Sequence, residues 1–254
     1  MGLKTYFRKF IQLNLKPEII HEDEHLLVII KPAGLLSIPD RNGSQLSVLN
    51  ILQKQFGTVF TVHRLDRETS GLLCFARNEA AHRHLSMQFE HHTADKYYHA
   101  LLEGVLHHEE GEIDKPIGEH PAISGKMAIV HQGGKPSLTF YRALERFKRF
   151  TLVEALIKTG RTHQIRVHFQ SIGYPLAVDA LYGRRSSFKL SEIKGKSYKS
   201  GKFSGEERPL MERTSLHATR LRLDHPFTGE RLEFKSELPK DFAAVITQLR
   251  KWGV

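Results

Sequence analysis

The chain has 254 residues, of which 40% are hydrophobic and 26% are charged, proportions typical of a soluble globular protein with one large domain or two small ones. Lys and Arg total 38 against 28 Asp and Glu, and the net charge of +10 favours a polyanionic partner such as nucleic acid, although a basic protein without such a partner has the same composition. The single cysteine, Cys74, excludes an intrachain disulfide, and no apolar run is long enough to span a bilayer, so we expect a cytoplasmic protein that does not bind membranes.

The first part of the chain predicts a basic arm at residues 1–17, followed by one domain over residues 18–254. Apolar spacing and breaker residues then predict four elements in turn. These are a strand at 25–30 that ends before Pro32, a helix at 46–55 that ends at Gly57, a strand at 72–76 that contains Cys74, and a helix capped by Asn78.

The second part of the chain predicts mainly strands. The elements in order are a strand at 96–105, hairpins and loops over the Gly-, Pro- and His-rich residues 106–136, paired strands at 138–144 and 149–159, and a short helix that Thr162 caps and that closes at Gly173. Many strands, few helices and no alternating strand–helix rhythm indicate an α+β fold with a mainly antiparallel sheet.

Residues 184–213 have an unusual composition. They carry nine Lys and Arg against four Glu, so half of the net charge lies in about an eighth of the chain. A segment this polar is expected to bury little apolar area, which predicts a loop or inserted arm. A solvated linker is one reading; we favour an arm that contacts RNA, because Phe188, Tyr198 and Phe203 lie among the charges and could stack on bases.

Three motifs carry chemistry. Residues 62–71 (VHRLDRETSG) place Asp66 between Arg64 and Arg67, immediately before an apolar strand. Residues 96–101 (KYYHAL) and 159–168 (TGRTHQIRVH) follow further along the chain. In this order they resemble the motifs of the RluA-type pseudouridine synthases, which isomerise uridine in RNA. Further similarity lies at residues 19–24, 31–34, 179–183, 216–218 and 224–230, so the resemblance covers about residues 18 to 243.

The resemblance implies roles for individual residues. Asp66 is expected to be the catalytic nucleophile or base, Arg166 its charge partner, and Tyr98 a surface on which the flipped uracil stacks. Arg64 is expected to fill the gap that the flipped nucleotide leaves, and Arg161 to contact phosphate. The remaining residues assigned to RNA binding are Lys96, His63 and Arg67.

The reaction is redox-neutral, so the resemblance implies no cofactor. His163 and His168 invite a metal interpretation, but no clustered cysteine or carboxylate completes a site, and we expect no metal. Many relatives carry a small S4-type RNA-binding module that we expect to be absent here, since about 18 residues precede the matching region. We expect a monomer that modifies ribosomal or transfer RNA; which RNA, and whether the carboxylate attacks sugar or base, stay open. A non-catalytic RNA-binding protein and a metal-dependent RNA hydrolase are the alternatives.

Overall fold

A computed structural model of the protein describes residues 16–40, 42–198 and 207–253, so the arm predicted at residues 1–17 lies almost entirely outside the described residues. The strands are β1 (Glu18–Glu22), β2 (Leu26–Lys31), β3 (Phe60–Thr61), β4 (Ser70–Ala76), β5 (Asp95–Glu103), β6 (Glu110–Asp114), β7 (Ile117–Glu119), β8 (Met127–Ile129), β9 (Leu138–Arg146), β10 (Phe150–Ile157), β11 (Leu216–Asp224) and β12 (Arg231–Lys235). The α-helices are α1 (Val48–Phe56), α2 (Glu79–Glu90), α3 (Gln164–Ser171), α4 (Leu190–Lys194) and α5 (Lys240–Trp252).

Backbone contacts divide the chain into two compact units. The first comprises the residues up to 96 together with 218–236, and the second comprises 97–217 together with 237 to the C-terminus. The single domain expected over residues 18–254 stays a prediction.

The first unit is a sheet in the order β1-β2-β4-β11, with β3 on β4 and β12 on β11. The β1–β2, β2–β4, β3–β4 and β11–β12 pairs are antiparallel. Every residue of β4 is buried, and its core cluster includes Cys74, Leu72 and Leu85 of α2. The side chain of Asn78 accepts from the backbone N–H of Ala81, which confirms the predicted N-cap of α2.

The second unit contains the sheet order β5-β10-β9-β6 and a separate β7–β8 hairpin. β9 and β10 pair antiparallel, as the sequence predicts. Their inner face packs with α5 in an apolar cluster that includes Leu152, Phe242 and Leu249. The α+β class with a mainly antiparallel sheet is therefore confirmed.

The start of α3 corrects one prediction. Thr162 does not cap this helix: the N-cap is His163, which has a left-handed backbone (φ 58°) and makes no side-chain cap bond. The reason lies in Gln164, whose side-chain oxygen accepts from the Arg161 N–H at 3.1 Å and from the Thr159 hydroxyl at 2.7 Å. The first helical residue thus organises the turn before it.

The basic segment also differs from its prediction. Phe188 is fully buried in the apolar cluster of the second unit, with its ring 5.1 Å from that of Phe150, so it does not stack on RNA. The predicted role of Phe203 lies outside the described residues. Arg213 pairs with Asp241, and Arg185 pairs with Glu103, so two of the segment's cations are structural. None of the helices in the described part of the chain is long and apolar enough to cross a membrane.

Candidate active site

Asp66 lies in a short turn that leads into the buried strand β4. The Thr69 N–H donates to the Asp66 carbonyl at 3.1 Å, which closes the turn, and the Asp66 side chain is partly exposed. A carboxylate at the lip of a buried strand has a fixed backbone and a side chain within reach of a ligand. The catalytic role that the sequence motif implies for Asp66 stays a prediction.

The backbone is fixed on both sides of Asp66. The Ser37 hydroxyl donates to the Leu65 carbonyl at 2.8 Å and accepts from the Leu65 N–H at 3.0 Å. On the other side, the Arg67 carbonyl accepts from the Gly34 N–H at 2.8 Å and from the Lys31 ammonium at 2.9 Å. These bonds restrain the backbone on either side of Asp66.

Lys31 is a supporting residue that the sequence reading did not single out. Its side chain is fully buried, and its ammonium donates to the carbonyls of Pro32, Leu35 and Arg67 at 2.7–2.9 Å. A buried ammonium must replace its lost hydration with hydrogen bonds, and three carbonyls satisfy its three donors. A lysine that ends a wholly apolar strand is the sequence signal that could have identified it.

Gly71, which ends the aspartate motif, is required by its surroundings. Its backbone has φ +116°, and a Cβ built there would lie 2.2 Å from the Ala218 carbonyl oxygen. Only glycine fits this close approach of β4 to β11, because any side chain would overlap the backbone. The motif therefore contains a packing requirement as well as a carboxylate.

The other residues predicted in this unit have different surroundings. Arg64 is exposed, and the Arg67 side chain donates to the Gly34 carbonyl at 3.1 Å. His63 accepts from the Cys74 N–H at 3.1 Å, and its ring stacks on Phe89 with centroids 4.4 Å apart.

Burial determines the protonation state of His63. Burial and the charge of Lys96 lower the pKa of His63 to about 3, so its ring is neutral. The Lys96 ammonium lies 5.5 Å from the Phe89 ring centroid. RNA binding by His63, Arg64, Arg67 and Lys96 stays a prediction.

In the second unit, Arg166 on α3 forms a bidentate ion pair with Asp179. The two hydrogen bonds are 2.7 and 2.9 Å long, and the Asp179 side chain is fully buried. Asp179 also accepts from the N–H groups of Leu181 and Tyr182. Burial raises the pKa of Asp179, but the hydrogen bonds and charge of Arg166 outweigh burial and hold it below its usual value.

Tyr182 connects this ion pair to its surroundings. The Arg166 guanidinium lies 4.8 Å from the centre of the Tyr182 ring. The hydroxyl of Tyr182 accepts from the Met127 N–H of β8 and lies 2.8 Å from the Nδ1 atom of His163. The sequence reading found Arg166 but missed Asp179 and Tyr182 as its supports, although it noted the similarity of residues 179–183 to the family.

Tyr98 and Arg161 also belong to the second unit. Tyr98 is buried in β5, and the Nε atom of Arg161 donates to the Pro136 carbonyl at 3.2 Å. Their stacking and phosphate-binding roles stay predictions, as does the pairing of Arg166 with Asp66. Among the described residues, no group of three or more His, Cys, Asp and Glu could hold a metal ion.

Residues 25–171, which include Asp66, Tyr98 and Arg166, match the sequence profile of the family described as RNA pseudouridylate synthase. The chain belongs to this family. Pseudouridine synthases are isomerases, so the enzyme class that the motifs indicate is confirmed.

Individual relatives match over most of the chain. A Pseudomonas aeruginosa protein named ribosomal large subunit pseudouridine synthase D is 39% identical, over 96% of this chain and 75% of the relative. A Bacillus subtilis protein named uncharacterized RNA pseudouridine synthase YlyB is 38% identical, over 93% of this chain and 73% of the relative. The solved structure of human RNA pseudouridylate synthase domain containing 4 is 25% identical, with a TM-score of 0.73 over 96% of this chain and 98% of that one.

Proposed function

We propose that this pseudouridine synthase isomerises specific uridines in structured RNA, with Asp66 as the catalytic carboxylate. The observation that carries the proposal is the anchored turn, in which hydrogen bonds from Ser37 and Lys31 fix the backbone on either side of Asp66. A catalytic group must be held in place to react efficiently, and this one is held by its own backbone.

The reaction breaks the C1′–N1 bond of uridine and forms a C1′–C5 bond, while the C5 proton leaves and N1 gains a proton. Atoms and electrons balance without any co-reactant. The carboxylate of Asp66 acts as nucleophile or as base, and both routes use the same residue. Tyr98 provides the stacking surface for the uracil, and Arg64 occupies the space that the flipped nucleotide leaves.

Arg166 is proposed as the charge partner of Asp66. A guanidinium stays positively charged and presents five N–H donors in a planar fork, a geometry that suits a carboxylate. The Asp179 pair fixes the plane of the guanidinium, which favours a directional interaction. Arg161, Lys96, His63 and Arg67 are proposed to contact the RNA.

The catalytic assignment is tested with Asp66→Asn. We expect the variant to release no tritium from RNA labelled at uridine C5 and to keep its RNA affinity within a few-fold. Glu68→Gln is the matched control, because it removes a carboxylate from the same turn. Turnover near wild type in Asp66→Asn would reject Asp66, and RNA binding by a wild-type protein that releases no tritium would support a non-catalytic RNA-binding protein instead.

For the substrate, we propose ribosomal RNA of the large subunit. The support is the name of the Pseudomonas aeruginosa relative, which is 39% identical over nearly the whole chain. Pseudouridine mapping of all RNA from strains with and without the gene is the test. We expect the missing modifications to lie in large-subunit RNA; losses confined to transfer RNA would contradict the substrate and leave the reaction intact.

A further inference from the structure

Trp252, the only tryptophan of the chain, lies exposed at the end of α5. Trp252 is 41% exposed, and two ammonium groups lie near its indole ring: that of Lys194 in α4 at 4.7 Å and that of Lys251 at 5.4 Å from the ring centroid. A large aromatic ring open to solvent beside two cations combines a stacking surface with positive charge.

A third segment brings further cations to the same place. The turn between β9 and β10 carries Lys148 and Arg149, both exposed, and the Lys148 N–H donates to the Gly253 carbonyl at 2.5 Å. The three segments are held together beneath the surface by one apolar cluster, to which they contribute Phe147, Phe150, Ile193 and Leu249. Rigid packing therefore fixes the surface formed by Lys148, Arg149, Lys194, Lys251 and Trp252, which we call the Trp252 surface.

The charges of the Trp252 surface are not balanced within it. Among the salt bridges between described residues, none is made by Lys148, Lys194 or Lys251. The carboxylate of Glu145 is paired with Arg250, which lowers the pKa of Glu145.

Helix dipoles account for only part of this charge. They favour cations in the last turns of α4 and α5, which explains Lys194 and Lys251. They do not explain the two cations of the β9–β10 turn, nor the exposed indole.

We propose that the Trp252 surface binds a single-stranded segment of RNA, with one base stacked on the indole and the flanking phosphates on the lysines. Single-stranded nucleic acid is recognised by aromatic rings set in a positive groove, and stacking requires an unpaired base. The inference rests on RNA being the substrate, as proposed above. The Trp252 surface is a second contact that binds RNA and takes no part in the isomerisation.

The single tryptophan makes the test direct. The full chain is titrated with a 12-residue oligouridine while indole fluorescence is recorded, and we expect saturable quenching that weakens as salt is added. With fluorescently labelled RNA, Trp252→Leu should lose about thirtyfold in affinity, the middle of the range for one stacked base. The triple variant Lys148→Gln, Lys194→Gln, Lys251→Gln should also bind more weakly, with a salt slope smaller by about 2.

Lys240→Gln is the matched control, because it removes one exposed lysine from the opposite end of the same helix and should bind as wild type. Absence of quenching, or equal quenching by base-free polyphosphate, would overturn the proposal. Affinity and salt slope of the Trp252→Leu and triple variants equal to those of Lys240→Gln would also overturn it. Tritium release is measured in the same preparations: failure of this inference leaves wild-type release intact, whereas failure of the proposed function abolishes it.

Discussion

Replacing Asp179 with asparagine tests whether a buried carboxylate holds Arg166 in position. The Asp179 side chain is fully buried and that of Arg166 is 10% exposed, so the variant leaves a guanidinium charge in the interior without its counter-charge. Removing one partner of a buried pair costs about 3–5 kcal/mol. The amide oxygen of asparagine can still accept from the N–H groups of Leu181 and Tyr182, so we expect the lower end, about 3 kcal/mol.

The Arg213–Asp241 pair provides a control with the same geometry. Its two hydrogen bonds are also 2.7 and 2.9 Å long, but the Asp241 side chain is 34% exposed. The Arg213 side chain is only 9% exposed, but water reaches the Asp241 end of the pair, and Arg213 keeps its bonds to the carbonyls of Thr214 and Leu216. We therefore expect a loss of about 1 kcal/mol for the control.

Urea unfolding at pH 7 measures both losses. With an m-value of about 3 kcal/mol/M, Asp179→Asn should lower the midpoint by about 1 M and Asp241→Asn by about 0.3 M. The pKa of Asp179 lies below its unfolded value, so its stabilisation is present above about pH 4 and is lost as the pH falls further. The difference between wild type and Asp179→Asn should narrow below that pH. Equal losses for the two variants at pH 7 would refute the reasoning.

Three further predictions follow from the first unit. Lys31→Met removes the ammonium that donates to three carbonyls, of which the Arg67 carbonyl keeps its bond from the Gly34 N–H, and should cost about 2–4 kcal/mol in thermal unfolding, with a lower kcat. An unchanged kcat would contradict its support of the Asp66 turn. Gly71→Ala should cost more than about 4 kcal/mol, because its Cβ would overlap the Ala218 carbonyl, and a melting temperature near wild type would contradict this. The pKa of His63 is about 3 in the folded protein, so between pH 6.5 and 5 the imidazole takes up a proton only in unfolded chains. The free energy of unfolding should therefore fall as the pH is lowered through this range. His63→Gln should reduce this pH dependence by up to about 1.4 kcal/mol per pH unit.

Local features were predicted well where the signal lies within a few residues. The N-cap at Asn78 and the end of α1 at Gly57 depend on side chains or backbone angles within one helical turn, and both were confirmed. The prediction that Thr162 caps α3 was wrong for an equally local reason. The Gln164 side chain, and not that of Thr162, accepts the hydrogen bonds of the turn before the helix.

Composition was a weaker guide for the basic segment. Its average polarity predicted an arm, yet Phe188 and Met211 of this segment are buried in the core of the second unit. An average over thirty residues conceals individual apolar anchors. Which aromatic residue is buried and which stays exposed depends on the surface that the rest of the fold offers to each.

The sequence by itself determined the family and the fold class, and it predicted Asp66 as the reactive carboxylate, because motif residues must keep their chemical type and their local spacing. Tertiary structure decided how those residues are held. Lys31 lies 36 residues from the Arg67 carbonyl that it binds, and Asp179 lies 13 residues beyond Arg166. Neither pairing has a local signal, since each exists only after folding has brought distant segments together and removed the water that otherwise solvates their charges.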